Sequence, residues 1–183
     1  MGPALARGVG AGVAQLRAAG IRAHVDDRDT IKPGAKYYEW EHKGVPLRME
    51  IGPRDVQKNA TFCARRTGGK KFGIAVDDQF INETRAQLDS IQAQLLEAAT
   101  QRRDSRIHRV DTYDQLKALV ASAEGGFALV PWCDDADNEA AIKSDCKATI
   151  RCYPIDGQEE VAGKTCFYSG RPATHMALFA RAY

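Results

Sequence analysis

The sequence predicts an α/β protein made of two successive units. A long amphipathic helix is expected over Asn82–Arg103, because its apolar residues recur at helical spacing between polar ones. Segments with β-strand character lie on both sides of this helix and alternate with shorter helical segments. The segment Arg102–Arg109 that follows is polar and charged. We therefore divide the chain into a first unit, residues 1–103, and a second unit, residues 104–183.

In the first unit, residues 3–19 are expected to form a helix, although three glycines weaken it. Turn residues around Pro33-Gly34 and Gly68-Gly69 separate the elements that follow. The sequence predicts a short strand at Ile21–Val25, a helix at Tyr37–Lys43, and strands at Val45–Ile51, Ala60–Arg66 and Phe72–Val76.

The second unit alternates helices and strands again. Asp111 is a plausible N-cap for the first of its helices. The sequence predicts helices at Thr112–Ala123 and Asp137–Asp145, strands at Gly126–Trp132, Ala148–Ile155 and Met176–Tyr183, and a polar loop at Gly157–Gly163.

The overall charge does not indicate the function. A net charge of +2 is too small to predict nucleic-acid binding, but basic residues concentrate between Lys36 and Lys71 and make a local basic face plausible. The sequence has no apolar run of the length that crosses a membrane, about 18 residues. Its cysteines number five, an odd count, and no secretion signal precedes them. These features favour reduced thiols and a cytoplasmic location.

Two groups of motifs carry a family resemblance. The first group lies in the first unit: Asp26-Asp27-Arg28-Asp29, Pro33-Gly34-Ala35-Lys36-Tyr37, Glu39-Trp40-Glu41, Lys43-Gly44-Val45-Pro46-Leu47-Arg48 and Glu50-Ile51-Gly52-Pro53-Arg54-Asp55. It resembles the anticodon-binding domain of prolyl-tRNA synthetases, which are class II synthetases. The second group resembles the extra C-terminal domain of the archaeal/eukaryotic type: Pro131-Trp132-Cys133, Lys147-Ala148-Thr149-Ile150-Arg151-Cys152, Gly170-Arg171-Pro172-Ala173 and Phe179-Ala180-Arg181-Ala182-Tyr183. The resemblance covers roughly residues 5–183.

The resemblance implies a mixed-sheet anticodon-binding domain followed by a small α+β domain. It implies tRNA(Pro) recognition within a proline–tRNA ligase, which joins proline to tRNA(Pro) with ATP. The ATP-binding motifs of class II synthetases are not found in this sequence, so ATP and Mg²⁺ are expected only in an absent catalytic domain. That domain, tRNA(Pro) and a second copy of the parent protein are the implied partners. The family's first strand is also not found, so one edge of the sheet is left without its usual partner. Three outcomes are open: another segment fills the place, two copies associate there, or the edge stays open. Marginal stability with a tendency to associate is expected.

The resemblance places six residues at the anticodon bases: Tyr37, Glu41, Arg48, Arg54, Asp55 and Lys70. Their chemistry suits unstacked bases, which proteins read by stacking and by hydrogen bonds to base edges. The aromatic ring can stack, the carboxylates can accept from the amino group of guanine, and the cations can donate to guanine oxygens or phosphate. Taken one at a time, each of these residues is more consistent with a surface salt bridge or a core aromatic. As a set within a matching motif, they favour base contacts.

Zinc is not expected. In the family four thiolates hold a structural zinc, and Cys133 and Cys166 match two of them. Asn138 and Ser169 stand at the other two positions, so this site is degenerate. No cysteine or histidine pattern indicates a catalytic site.

One further expectation comes with the resemblance. Tyr183 is expected to contact the catalytic domain as an interdomain latch. The alternative functions are a free-standing accessory protein that reuses the fold to bind RNA or protein, and an enzyme of unrelated chemistry, which no catalytic residues support.

Overall fold

The computed structural model describes the backbone of residues 3–181 and the side chains of residues 8–181. The chain forms two compact units, Met1–Ala98 and Ala99–Tyr183. The structure confirms the predicted α/β class, with an antiparallel sheet in the first unit and a mixed sheet in the second. Among the described helices, none has the length and apolar character needed to cross a membrane.

The first unit contains a three-stranded antiparallel sheet in the order β1-β2-β3. One face of the sheet packs on a small core that includes Leu16, Cys63, Ile74 and Phe80. The strands are β1 Leu47–Glu50, β2 Ala60–Arg65 and β3 Phe72–Ala75, and the helices are α1 Pro3–Ala18, α2 Pro33–His42, α3 Pro53–Gln57 and α4 Phe80–Asp104. The division between the two units falls within α4.

The predicted strand at Ile21–Val25 is wrong. This segment does not pair with any described strand, and local contacts take up part of its backbone. The Ile21 N–H donates to the carbonyl of Leu16 at 2.9 Å, and the Arg17 guanidinium donates to the carbonyl of Ala23 at 2.9 and 3.1 Å. On its side away from β2, β1 has no strand partner among the described residues. A groove of about 740 Å³ lined by Met49 and other apolar side chains lies in this region.

Two helices of the first unit differ from the prediction because of proline. Helix α2 begins four residues early, at Pro33, because proline fits the first turn of a helix, where its missing N–H has no partner to lose. Helix α3 begins at Pro53, where the sequence predicted only a strand break. The carboxylate of Asp55 accepts a hydrogen bond from the Gly52 N–H at 2.8 Å and so closes the first turn of α3.

The second unit has a four-stranded mixed sheet in the order β4-β5-β7-β6, in which β4 and β5 are parallel. Its core centres on Trp132, Phe167 and Phe179, whose ring centres lie 5.2–5.9 Å apart. The elements are β4 Ile107–Arg109, α5 Tyr113–Ala121, β5 Phe127–Trp132, α6 Ala136–Cys146, β6 Ala148–Cys152, a 3-10 helix Gln158–Val161 and β7 His175–Arg181.

Two predictions for the second unit are corrected. Strand β4 was missed because only Ile107 among its residues is apolar, and it is an edge strand that pairs with β5 alone. The N-cap of α5 is Thr112 and not Asp111. The Thr112 hydroxyl accepts from the Gln115 N–H, and the Gln115 side chain accepts from the Thr112 N–H, which together form a capping box.

Candidate nucleic-acid interface

One face of the first unit's sheet is turned away from the core. Leu47 and Met49 pack on the core, so Arg48 and Glu50 lie on the opposite face of β1. The strand register places Glu50 opposite Phe62, and Phe62 opposite Gly73. We call the surface formed by Arg48, Glu50, Phe62 and Lys71, together with Tyr37 of α2, the outer sheet face.

Arg48 is held in place on three sides. Its guanidinium carbon lies 3.8 Å from the centre of the Tyr37 ring. The same guanidinium donates to the carboxylate of Glu41 at 2.6 Å and to that of Glu50 at 3.2 Å. Its side chain is only 17% exposed. The structure therefore brings together three of the six predicted contact residues, but pairs them with one another.

Glu50 and Lys71 complete this network. The Lys71 ammonium donates to the Glu50 carboxylate at 2.8 Å and lies 5.5 Å from the centre of the Tyr37 ring. Burial alone would raise the pKa of Glu50, but hydrogen bonds from Lys71, Tyr37 and Arg48 outweigh it and lower that pKa. Burial, followed by the hydrogen bond to Glu50, raises the pKa of Tyr37. Glu50 is therefore an ionised acceptor at neutral pH, and Tyr37 is a neutral phenol.

Arg54 and Asp55 lie together in the first turn of α3. Asp55 uses one carboxylate oxygen as an acceptor for the Gly52 N–H. The Arg54 side chain is exposed, and it has no hydrogen bond or ion pair with any residue that the structure describes. It is thus available to bind an external group.

Lys70 lies in the turn between β2 and β3. The preceding Gly68 and Gly69 have φ angles of +88° and +96°, which glycine adopts without strain. The Lys70 side chain is exposed and makes no hydrogen bond or ion pair within the described chain. The structure therefore does not join Lys70 to the Arg48 network.

Sequence reasoning missed Glu50, Phe62 and Lys71 as members of this surface. The alternation of inward and outward positions along β1 and β2 is the pattern that identifies these residues. Along β2, Thr61 and Cys63 are buried, whereas Phe62 between them is 42% exposed. A single exposed apolar side chain is common in proteins. What sets Phe62 apart is the Lys71 ammonium, which lies 5.6 Å from the centre of its ring.

The acidic motif before α2 has a structural role. Asp26 accepts hydrogen bonds from the side chains of Arg28, at 2.6 and 2.9 Å, and of Trp40, at 2.8 Å. Lys36 lies 3.4 Å from the same carboxylate. Hydrogen bonding by Arg28, then by Trp40, holds the pKa of Asp26 well below its usual range although partial burial opposes this. These contacts tie the preceding loop to α2, which carries Tyr37 and Glu41.

In the second unit the four positions of the degenerate zinc site do meet. The Cys133 sulfur lies 3.5 Å from the Ser169 hydroxyl and 3.7 Å from the amide nitrogen of Asn138. Burial would raise the pKa of Cys166, but hydrogen bonds from Ser169, Tyr168 and Cys133 together lower it. The Arg171 guanidinium also donates to the Cys133 sulfur, at 3.6 Å.

The donor atoms of this cluster differ from those of a structural zinc site. Amide and hydroxyl groups replace two of the thiolates that a closed tetrahedral site requires. The Arg171 guanidinium, which also pairs with Asp135, already brings a positive charge to the Cys133 sulfur. The described residues contain no group of three or more metal-binding side chains. The predicted latch residue, Tyr183, lies outside the described residues.

Two family models match the chain, one in each unit. Residues 11–87 match the model described as anticodon binding domain. Residues 113–183 match the model described as prolyl-tRNA synthetase, C-terminal.

Curated proteins and solved structures give the same result. The chloroplastic/mitochondrial proline–tRNA ligase of Arabidopsis thaliana is 41% identical over 92% of this chain and 31% of its own length. The proline–tRNA ligase of Thermococcus kodakarensis is 40% identical over 92% of this chain and 35% of its own. The crystal structure of prolyl-tRNA synthetase from Cryptosporidium parvum with halofuginone and AMPPNP superposes with a TM-score of 0.90 at 31% identity, over 100% of this chain and 38% of that one. The chain thus spans about a third of the length of these relatives.

Proposed function

The chain belongs to the prolyl-tRNA synthetase family, and we propose that it forms the part of a proline–tRNA ligase that recognises the anticodon of tRNA(Pro). The parent protein would join proline to tRNA(Pro) with ATP. ATP and Mg²⁺ would bind in the parent's catalytic domain.

The outer sheet face beside α3 carries this proposal. Proline anticodons contain two guanines, whose base edges offer both acceptors and an amino donor. Arg54 is a free cationic donor, and Asp55, next to it, retains acceptor capacity beyond its bond to Gly52. An arginine and a carboxylate side by side match the acceptors and the donors of guanine. Lys70 adds an exposed positive charge suited to phosphate.

The paired residues have a different role in this proposal. Arg48 is fixed between Glu41 and Glu50, so it meets RNA with its geometry already set and little side-chain entropy to lose. Glu41 keeps part of its carboxylate exposed and can accept from a guanine amino group while it holds Arg48. We further propose a cytoplasmic location, a homodimeric parent protein, and a second unit without zinc.

Binding to matched anticodon stem–loops tests the proposal. The 183-residue chain should bind the tRNA(Pro) stem–loop more tightly than versions in which either anticodon guanine is replaced by adenine. Each replacement should cost about 5- to 150-fold in affinity, the usual cost of a lost bidentate base contact. Affinity should also fall as salt rises, because phosphate contacts release counterions. Equal affinity for all of these RNAs would contradict anticodon reading and would favour an accessory protein with a general affinity for RNA or protein.

A further inference from the structure

The outer sheet face contains an aromatic ring to which no function has been assigned. Phe62 is 42% exposed at the centre of the sheet, on β2. Its neighbours across the strands are Glu50 on one side and Gly73 on the other. A glycine has no side chain to cover the ring. A Cβ built at Gly73 would come near nothing but the carbonyl of Thr61, at 3.7 Å, so the space beside Phe62 is open.

The other ring of this face is already in use. One face of Tyr37 is covered by the guanidinium of Arg48, 3.8 Å away. The Lys71 ammonium lies 5.5 Å from the centre of the same ring. Tyr37 therefore offers less free ring surface than Phe62 to an unpaired base.

A cation stands beside the Phe62 ring. The Lys71 ammonium lies 5.6 Å from its centre and is tethered by Glu50 at 2.8 Å. An exposed aromatic ring with an adjacent cation is the usual arrangement for binding single-stranded nucleic acid, because the ring stacks on a base while the cation neutralises a phosphate. Protein docking, in contrast, calls for a contiguous apolar patch, and the immediate neighbours of Phe62 are a carboxylate, an ammonium and a glycine.

We propose that Phe62 is a stacking platform for an unpaired base of the anticodon loop, with Lys71 holding the adjoining phosphate. The inference rests on the proposed function, since it requires that this unit bind the loop. It adds a contact that is independent of base identity, because every base has a stacking face. Arg54 and Asp55 would select guanine, and Phe62 would hold a base flat on the sheet.

The test uses the full chain, the tRNA(Pro) anticodon stem–loop, and a series of the same stem–loop with one abasic loop nucleotide at a time. Phe62→Leu should weaken binding to the intact stem–loop by about 5- to 150-fold, the range for loss of one stacked base. Phe62→Trp should bind at least as tightly as the wild type. Leu96→Ala, which removes a side chain that is 63% exposed on α4, is the matched control and should leave binding unchanged. Circular dichroism and thermal melting establish that each variant is folded.

The abasic series identifies stacking directly. At one or two loop positions, removal of the base should weaken binding by the wild type. At the same positions, removal of the base should not weaken binding by the Phe62→Leu variant any further. Replacing guanine with adenine at those positions should leave the effect of Phe62→Leu intact. The inference would be overturned if Phe62→Leu lowered the affinity equally for every RNA of the series, or for none of them. It would also be overturned if Phe62→Leu changed self-association alone. If the wild type does not bind the stem–loop, the proposed function fails as well. If the wild type binds the stem–loop and Phe62→Leu binds it equally well, only the stacking proposal is refuted.

Discussion

The guanidinium of Arg48 lies over the ring of Tyr37, with its central carbon 3.8 Å from the ring centre. Arg48 also donates to Glu41 and Glu50, so one side chain links α2 to β1. A residue that the sequence assigns to RNA contact therefore also contributes to the stability of the surface that carries it.

The first prediction separates these two roles of arginine. Arg48→Ala should lower the free energy of unfolding by about 1–3 kcal/mol, because two carboxylates lose a charged partner. Arg54→Ala should leave stability within about 0.5 kcal/mol, because its side chain has no partner in the described chain. Both variants should weaken binding to the tRNA(Pro) stem–loop by about 1–3 kcal/mol. Chemical unfolding and binding titrations measure the two effects.

The RNA panel decides what the arginines contact. A guanine-reading arginine should lose its contribution when the matching guanine is replaced by adenine. An equal loss on all stem–loops would identify Arg48 or Arg54 as a phosphate contact.

The second prediction concerns Asp55. Its carboxylate accepts a hydrogen bond within the protein and is also predicted to contact a base. Asp55→Asn keeps an oxygen acceptor for the Gly52 N–H, so stability should change little, whereas Asp55→Ala should cost about 0.5–1.5 kcal/mol. Both should weaken RNA binding, because the amide has a single acceptor oxygen and no charge. A variant Asp55→Asn that binds the proline stem–loop as tightly as the wild type would show that Asp55 only closes α3.

The third prediction concerns acid stability. Hydrogen bonds from Arg28 and Trp40 keep the pKa of Asp26 below its unfolded value of about 3.9. The stabilisation is therefore complete above the unfolded pKa and is lost as pH falls through that value toward the folded one. Asp26→Asn should lower the melting temperature at pH 7 and make it less sensitive to acid below about pH 5.

A neighbouring residue provides the control for this prediction. Asp29 lies in the same loop, is exposed, and has no hydrogen bond or ion pair among the described residues, so Asp29→Asn should leave the acid dependence unchanged. The NMR signal of the Trp40 indole N–H, which donates to Asp26 at 2.8 Å, reports on this site directly. The signal should shift in Asp26→Asn and stay in place in Asp29→Asn. Identical acid profiles for wild type and Asp26→Asn would remove Asp26 as the cause.

The sequence predicted elements whose pattern is local and missed those that depend on partners. Periodicity identified α4, and motif resemblance located Tyr37, Glu41 and Arg48, which the structure brings together. Ile21–Val25 has strand composition, but a strand also needs a neighbour with free backbone groups, and composition cannot supply that information. Likewise, the free side chain of Arg54 and the paired one of Arg48 look alike in sequence, because pairing depends on where Glu41 and Glu50 lie in three dimensions.

The last prediction concerns the degenerate zinc site. The wild-type chain should contain far less than one zinc per molecule by elemental analysis, because Asn138 and Ser169 replace two thiolates. The structure nevertheless brings both residues to within 3.7 Å of the Cys133 sulfur. Cys166 and Ser169 lie in one turn, which the Gly170 N–H closes by donating to the Cys166 carbonyl at 2.9 Å. The double variant Asn138→Cys, Ser169→Cys should therefore place four thiolates together and bind one Zn²⁺.

The readout does not depend on activity. Co²⁺ substituted for Zn²⁺ should give the intense visible absorption of a tetrahedral thiolate site in the double variant, and the metal should raise the melting temperature because only the folded chain assembles the site. The variant Asn138→Ala, Ser169→Ala removes the same side chains without adding thiols and should show neither effect. Stoichiometric zinc in the wild type, released only on unfolding, would contradict the prediction. Failure of the four-cysteine variant to bind metal would instead show that the Arg171 guanidinium, 3.6 Å from the Cys133 sulfur, holds the site closed to cations.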